Sequence, residues 1–146
     1  MAVEITEEFV WQSIPPRARD SHKGTFGSVL AVAGSAFYRG AALLAAEGAL
    51  RAGAGIVTLA SVEPVVSAAV TRLPECCLCP CKEDAQGGIA PENVPLLRRQ
   101  KATVLLLGPG LGGTAQSAAR AAETRTLVQQ LLPGFVGAAV LLSLIH

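Results

Sequence analysis

The chain has 146 residues, enough for one domain with a real core. Hydrophobic residues make up 51% and charged residues 16%, which excludes a disordered, highly charged chain and suits strands buried on both faces. The net charge is +1, from 12 basic and 11 acidic residues, and no basic stripe is interleaved with aromatics, so nucleic acid is not an expected partner.

Residues 1–20 read as an approach segment, with turn chemistry at Ile14-Pro15-Pro16 and Arg17-Ala-Arg-Asp20. Glu4, Glu7 and Glu8 stand where a secretory signal would carry positive charge. No apolar stretch is long and unbroken enough to span a bilayer, so neither membrane nor secretion is expected and the cytoplasm is the expected location. Ser28 to Ala33 is a short apolar run closed by Gly34, the profile of a buried parallel strand. Ser35 to Arg39 is a loop. Ala41 to Ala52 is a helix of strong formers, with stop residues at Gly53 and Gly55. Glu47 is expected on its solvent side. Ile56 to Ala60 is the next strand, and the short connection requires a tight crossover helix and a parallel pair.

The alternation continues. Glu63 to Leu73 is predicted helical, with Pro64 at its start, and Glu75 to Cys79 is a weak strand. The chain's four cysteines fall at Cys76, Cys77, Cys79 and Cys81. They have one Cys-x-x-Cys spacing and no second ligand pair, and the histidines are remote in sequence, so structural thiols are expected and no metal site. Pro80 to Ala90 is a polar loop, and Pro91 to Gln100 a helix. Thr103 to Leu107 is a strong strand followed by the glycine loop Gly108-Pro-Gly-Leu-Gly-Gly113. Thr114 to Leu132 is a helix with Thr114 as N-cap. Val136 to Ile145 suits a buried strand. The pattern predicts a three-layer α/β/α sandwich on a mostly parallel sheet.

Two loops follow strong strands and should share the carboxyl edge of the sheet, where α/β proteins bind ligands: Gly34 to Gly40 and Gly108 to Gly113. Neither is a Walker A loop or a clean Gly-x-Gly-x-x-Gly. Glycine there lets a ligand approach the backbone. Tyr38 and Arg39 are candidates for the crevice wall. His22 and Lys23, beside Gly24, are candidates for a phosphate or a carboxamide. No Ser-His-Asp arrangement is legible.

Taken in order, Ser21-His-Lys-Gly-Thr-Phe-Gly27, Val-Ala-Gly-Ser35, Tyr38-Arg-Gly-Ala-Ala42, Leu50-Arg-Ala-Gly-Ala-Gly-Ile-Val-Thr58, Pro74-Glu75 and Gly108-Pro-Gly-Leu-Gly112 resemble the N-terminal half of the NAD(P)H-hydrate dehydratases. These are relatives of the ribokinase-like carbohydrate kinases. The resemblance covers roughly Arg17 to Leu132. It implies a ribokinase-like fold, truncated here, and a metabolite-repair lyase. Such an enzyme phosphorylates the hydroxyl of hydrated NADH or NADPH with ADP or ATP and Mg2+, and phosphate then leaves to restore the reduced nicotinamide. By resemblance, Ala41 and a glycine of Gly108-Pro-Gly110 contact the hydrated dinucleotide. Gly40, His22 and Lys23 are further substrate-binding candidates from their place in the glycine turns. The family's second half holds an Asp-Ala-Asp strand end, a His-Pro-Gly-Glu segment, a Lys-Gly nucleotide loop and a Gly-Thr-Gly-Asp motif carrying the base. None is in this sequence, so no catalytic residue is assigned. Residues 1–146 are read as the N-terminal portion of one such domain, incomplete and inactive alone, with an aberrant tail over 133–146. An unpaired apolar strand edge would favour homo-oligomers. Two alternatives remain: another ribokinase-like small-molecule kinase, or a non-catalytic nucleotide-binding remnant.

Overall fold

The structure is a computed structural model that describes residues 4–14 and 16–142. Its frame is a five-stranded sheet in which every neighbouring pair is parallel, in the order β3-β2-β1-β4-β5. The strands are β1 (Ser28–Val32), β2 (Ile56–Val62), β3 (Cys77–Cys81), β4 (Val104–Leu107) and β5 (Ala139–Leu142). Leu30, Ala31 and Val32 of β1 are consecutive and all buried, which is what helices on both faces require.

The helices are α1 (Glu7–Ser13), α2 (Arg39–Arg51), α3 (Glu63–Arg72), α4 (Val94–Arg98) and α5 (Ala118–Leu131). From β1 the chain runs through α2 to β2 and through α3 to β3, moving one way across the sheet. It then crosses back through α4 to β4 and continues through α5 to β5. Parallel crossovers are right-handed, so reversing direction puts α2 and α3 on one face and α4 and α5 on the other. The packing agrees: α2 lies on α3, β1 and β2, while α4 lies on α5. The reversal point falls between β1 and β4.

The strand and helix order predicted from sequence is present, but some details differ. β3 is Cys77–Cys81 where the sequence predicts Glu75 to Cys79, and the helix predicted over Pro91 to Gln100 is a 3-10 turn (Pro91–Asn93) followed by α4. The approach segment contains α1, capped by the Thr6 hydroxyl, which accepts from Phe9 N at 3.2 Å. No residue of α1 is buried. Helix α5 begins at Ala118, not Thr114, because the Ser117 hydroxyl accepts from Arg120 N at 3.0 Å. The Gln116 side chain meanwhile holds the preceding turn by accepting from Gly113 N at 2.7 Å. Glu47 is not on open solvent. It is half-buried between α2 and α3, at 2.6 Å from Arg51 and 3.6 Å from Arg72. The predicted tail strand is β5, but Val140 and Leu141 are exposed, so it is not buried among the described residues. Residues 143–146 of that predicted strand lie outside the described residues, as does Pro15.

Candidate functional site

The two glycine loops leave the adjacent strands β1 and β4 at their carboxyl ends, on either side of the reversal point. They touch. Gly34 N donates to Pro109 O at 2.7 Å, and Gly108 N donates to Val32 O at 3.2 Å. Gly110 has φ +73°, and a Cβ on it would meet Tyr38 O at 2.8 Å and the Ala41 methyl at 2.9 Å. Only glycine holds that backbone and that approach together. Ala41 and Gly110 thus pack closely where the two loops meet, a junction we call the crevice.

The start of α2 forms one wall. Its N-cap, Tyr38, makes no side-chain capping hydrogen bond. The N–H groups of the first helical turn have no intrahelical partner, so the wall offers backbone donors and the positive end of the helix dipole. Gly40 opens this turn to space, with no atom within 4 Å of where its Cβ would stand. Arg39 adds a cation and is tethered by Nε donating to Ala36 O at 3.0 Å. Tyr38 stands exposed at the rim. Neither loop contains a carboxylate. The helix start and Arg39 therefore make this edge locally electropositive.

His22 and Lys23 are not part of it. They precede β1 and lie at the amino edge, separated from the crevice by the length of the strand, about 15 Å at 3.3 Å per residue. His22 is occupied locally: its Nδ1 accepts from Gly24 N at 3.1 Å, and its own N–H donates to Thr25 Oγ1 at 3.3 Å. This caps the 3-10 turn Lys23–Phe26. Of the expected site residues, the structure thus brings together Ala41, Gly110, Gly108 and Gly40, and places His22 and Lys23 apart from them.

Sequence reasoning missed a buried ion pair beside the crevice. Arg120, 1% exposed, pairs through Nη1 with Asp84 Oδ2. A cavity of about 490 Å3 lies against it, bordered by Phe37, Glu83, Gln86 and Gln116. The cysteines are free thiols. Cys81 is buried at the end of β3, and burial, with Cys79 adjacent, pushes its thiol up to about 12. Burial also raises Cys79 and Cys76. These thiols stay protonated at neutral pH, and Cys79 and Cys81 pack in the core. No group of three or more His, Cys, Asp or Glu residues is placed to hold a metal among the described residues, and none of their helices is long and apolar enough to cross a membrane.

Comparison with known proteins identifies the architecture. Residues 29–141 match the family model described as NAD(P)H-hydrate dehydratase. The match continues past Pro133, into the stretch expected to depart from the family, and there β5 pairs in parallel register with β4. The ADP-dependent (S)-NAD(P)H-hydrate dehydratase of Listeria monocytogenes is 39% identical over 111 residues, which is 75% of this chain and 37% of that protein. A bifunctional NAD(P)H-hydrate repair enzyme of Thermofilum pendens is 40% identical over 101 residues, 68% of this chain and 19% of that protein. Among solved structures, the Bacillus subtilis ADP/ATP-dependent NAD(P)H-hydrate dehydratase co-crystallised with ATP/Mg2+ superposes with a TM-score of 0.65 at 31% identity, over 91% of this chain and 42% of that one. A ribokinase-like superfamily protein from Enterococcus faecalis gives 0.69 at 25% identity, over 89% and 40%. The chain therefore spans well under half the length of these relatives. It belongs to the NAD(P)H-hydrate dehydratase family and has the ribokinase-like fold.

Proposed function

We propose that this chain supplies the dinucleotide-binding crevice for repair of hydrated NADH or NADPH. The carrying observation is the uncapped start of α2 facing Gly110 across the carboxyl edge of the sheet, where strand order reverses. In this reading the N–H groups around Ala41 and the bare backbone of Gly108 and Gly110 hold the pyrophosphate or hydrated ring of the dinucleotide. Gly40 leaves the approach open. Family membership supports the substrate class, and the relatives' names support ADP or ATP as the phosphoryl donor.

Phosphoryl transfer to the hydrate's hydroxyl needs a base and a clamp on the transferring group. Neither loop carries a carboxylate; Asp84 is paired with Arg120, Glu47 is held between α2 and α3, and Glu83 borders the neighbouring cavity with Ala36 and Phe37. The described residues also hold no group of three or more His, Cys, Asp or Glu placed for a metal. The chain alone is thus assigned binding without turnover. To test this, purified chain is incubated with NADH hydrate, magnesium and ADP or ATP, and absorbance of restored NADH is followed beside a titration of hydrate into the chain. Saturable binding with no restoration above the no-enzyme control is expected. Absence of binding would overturn the site. Nucleotide-dependent restoration would overturn the assignment of residues.

A further inference from the structure

Arg120 is the largest fully buried side chain, and it joins three loops. Its Nη1 is paired with Asp84 Oδ2, in the loop after β3. Its Nε donates to Thr124 Oγ1 at 3.1 Å, and that hydroxyl donates to Gly112 O at 2.9 Å, in the loop after β4. On the other side, Asp84 Oδ1 accepts from Gln86 N at 2.8 Å and from Gly88 N at 3.0 Å. This fixes the turn whose Gly87 O accepts from Ala36 N at 2.8 Å, in the loop after β1. The guanidinium stacks so closely under Gly88 that any Cβ there would overlap it. Nη2 has no partner among the described residues, so the hold on the loops runs through Nη1 and Nε.

A buried ion pair is poor evidence of net stability, since desolvation offsets the attraction. What the pair provides is geometry, because a planar guanidinium fixes its partners in direction as well as distance. We propose that Arg120 is a positioning residue for the crevice: through Asp84 and Thr124 it sets the separation between the loop carrying Ala36 to Gly40 and the loop carrying Gly108 to Gly113. It rests on the dinucleotide reading only for the choice of binding probe.

The test uses Arg120→Met, Arg120→Lys, Asp84→Asn and Thr124→Val, with amide hydrogen exchange and NADPH titration. Arg120→Met is expected to speed exchange at Ala36 and Leu111 at least tenfold, with Ser28 and Thr103 at the far edge unchanged within twofold. It should also weaken NADPH at least fivefold. Lysine keeps the charge but lacks the fork, and is expected not to restore either. Thr124→Val keeps the ion pair and should loosen Leu111 while sparing Ala36. Asp84→Asn should do the reverse. If Arg120→Met fails to fold, this crossed pattern decides. Equal loosening at both edges, or protection at Ala36 and Leu111 unchanged in all variants, would overturn the proposal. Failure of the unmodified chain to bind NADPH counts against the ligand assigned above and leaves the exchange result to decide the role of Arg120.

Discussion

The two edges of the sheet are both rich in glycine and both carry residues typical of ligand sites, yet they treat their backbone groups in opposite ways. At the amino edge the side chains consume what the backbone offers. His22 and Thr25 cap the turn before β1, and Thr103 Oγ1 accepts from Ser28 N at 2.9 Å while donating to Ser28 O at 2.8 Å. Arg17 lies over the Phe26 ring at 4.2 Å and donates to Gly53 O at 3.0 Å. At the carboxyl edge the polar side chains turn inward, to one another and to loop backbone, and the first turn of α2 is left uncapped. At the first edge these backbone hydrogen bonds are already made. At the second, polar groups hold loops in place while the first-turn N–H groups of α2 lack a side-chain cap.

The largest effect that could break this comparison is removal of one partner of the buried pair. Asp84→Ala leaves a buried guanidinium uncompensated, so a loss of about 3–5 kcal/mol is expected in denaturant unfolding. A loss under about 1 kcal/mol would mean that the carboxyl edge is not organised around Arg120. Next is Gly110→Val, which forces a β-branched residue into positive φ and fills the space between Tyr38 and Ala41. Strain of about 1–3 kcal/mol is expected, with loss of measurable hydrate or NADPH binding by titration. Retained affinity would show that the crevice lies elsewhere.

At the amino edge the expected effects are smaller and of another kind. Thr103→Val removes both hydrogen bonds to Ser28 and should cost about 1–2 kcal/mol. His22→Ala removes the cap of the 3-10 turn and should cost about 1 kcal/mol or less. Neither should change NADPH affinity by more than about twofold. A tenfold loss from His22→Ala would reinstate the amino edge as part of the site.

Why the site was only half legible follows from particular residues. The strands could be read because buried parallel strands are unbroken apolar runs, as in Val29 to Ala33 and Val104 to Leu107. Gly34, Ala41 and Gly110 could be placed together because they follow strands. The same rule puts His22 and Lys23 at the other edge, since they precede one; there the residue types beside Gly24 outweighed topology. Helix α1 had a signal, Thr6 before Glu7 and Glu8, that the neighbouring prolines masked. For α5, Thr114 and Ser117 are both good caps, and the choice was made by the Gln116 contact to Gly113, which no local propensity encodes. Arg120 was missed because a lone arginine in Ala-Ala-Arg-Ala-Ala reads as a solvated face. It nevertheless lies in register with Thr124, Leu127 and Leu131, all buried, so its position on the apolar stripe was a usable sign. Its partner, 36 residues away in a loop, was not inferable.

The smallest effect at neutral pH sharpens the contrast along a single strand. β3 carries Cys77 exposed at its amino end and Cys81 buried at its carboxyl end, beneath the loop that Asp84 organises. A thiol-reactive probe at pH 7.5 should label Cys77 first and Cys81 only on unfolding, since the thiolate is the reactive form and burial holds the Cys81 thiol up to about 12. The same shift predicts a pH dependence. An unfolded cysteine ionises near pH 8.5, and in the folded chain Cys81 stays neutral well above that value. Below about pH 8.5 both states hold the proton, and the stabilisation is fully present. As pH rises toward 12 only the unfolded chain gives up the proton, so stability falls, by up to about 1.4 kcal/mol per pH unit from this thiol. Cys81→Ala should flatten that alkaline slope in denaturant melts between pH 8 and 10, although it lowers stability at pH 7 by removing a packed side chain. An alkaline slope unchanged by the substitution, or labelling of Cys81 as fast as Cys77 in the folded chain, would show that the loop above β3 opens readily and that the carboxyl edge is not fixed in place by Arg120 and Asp84.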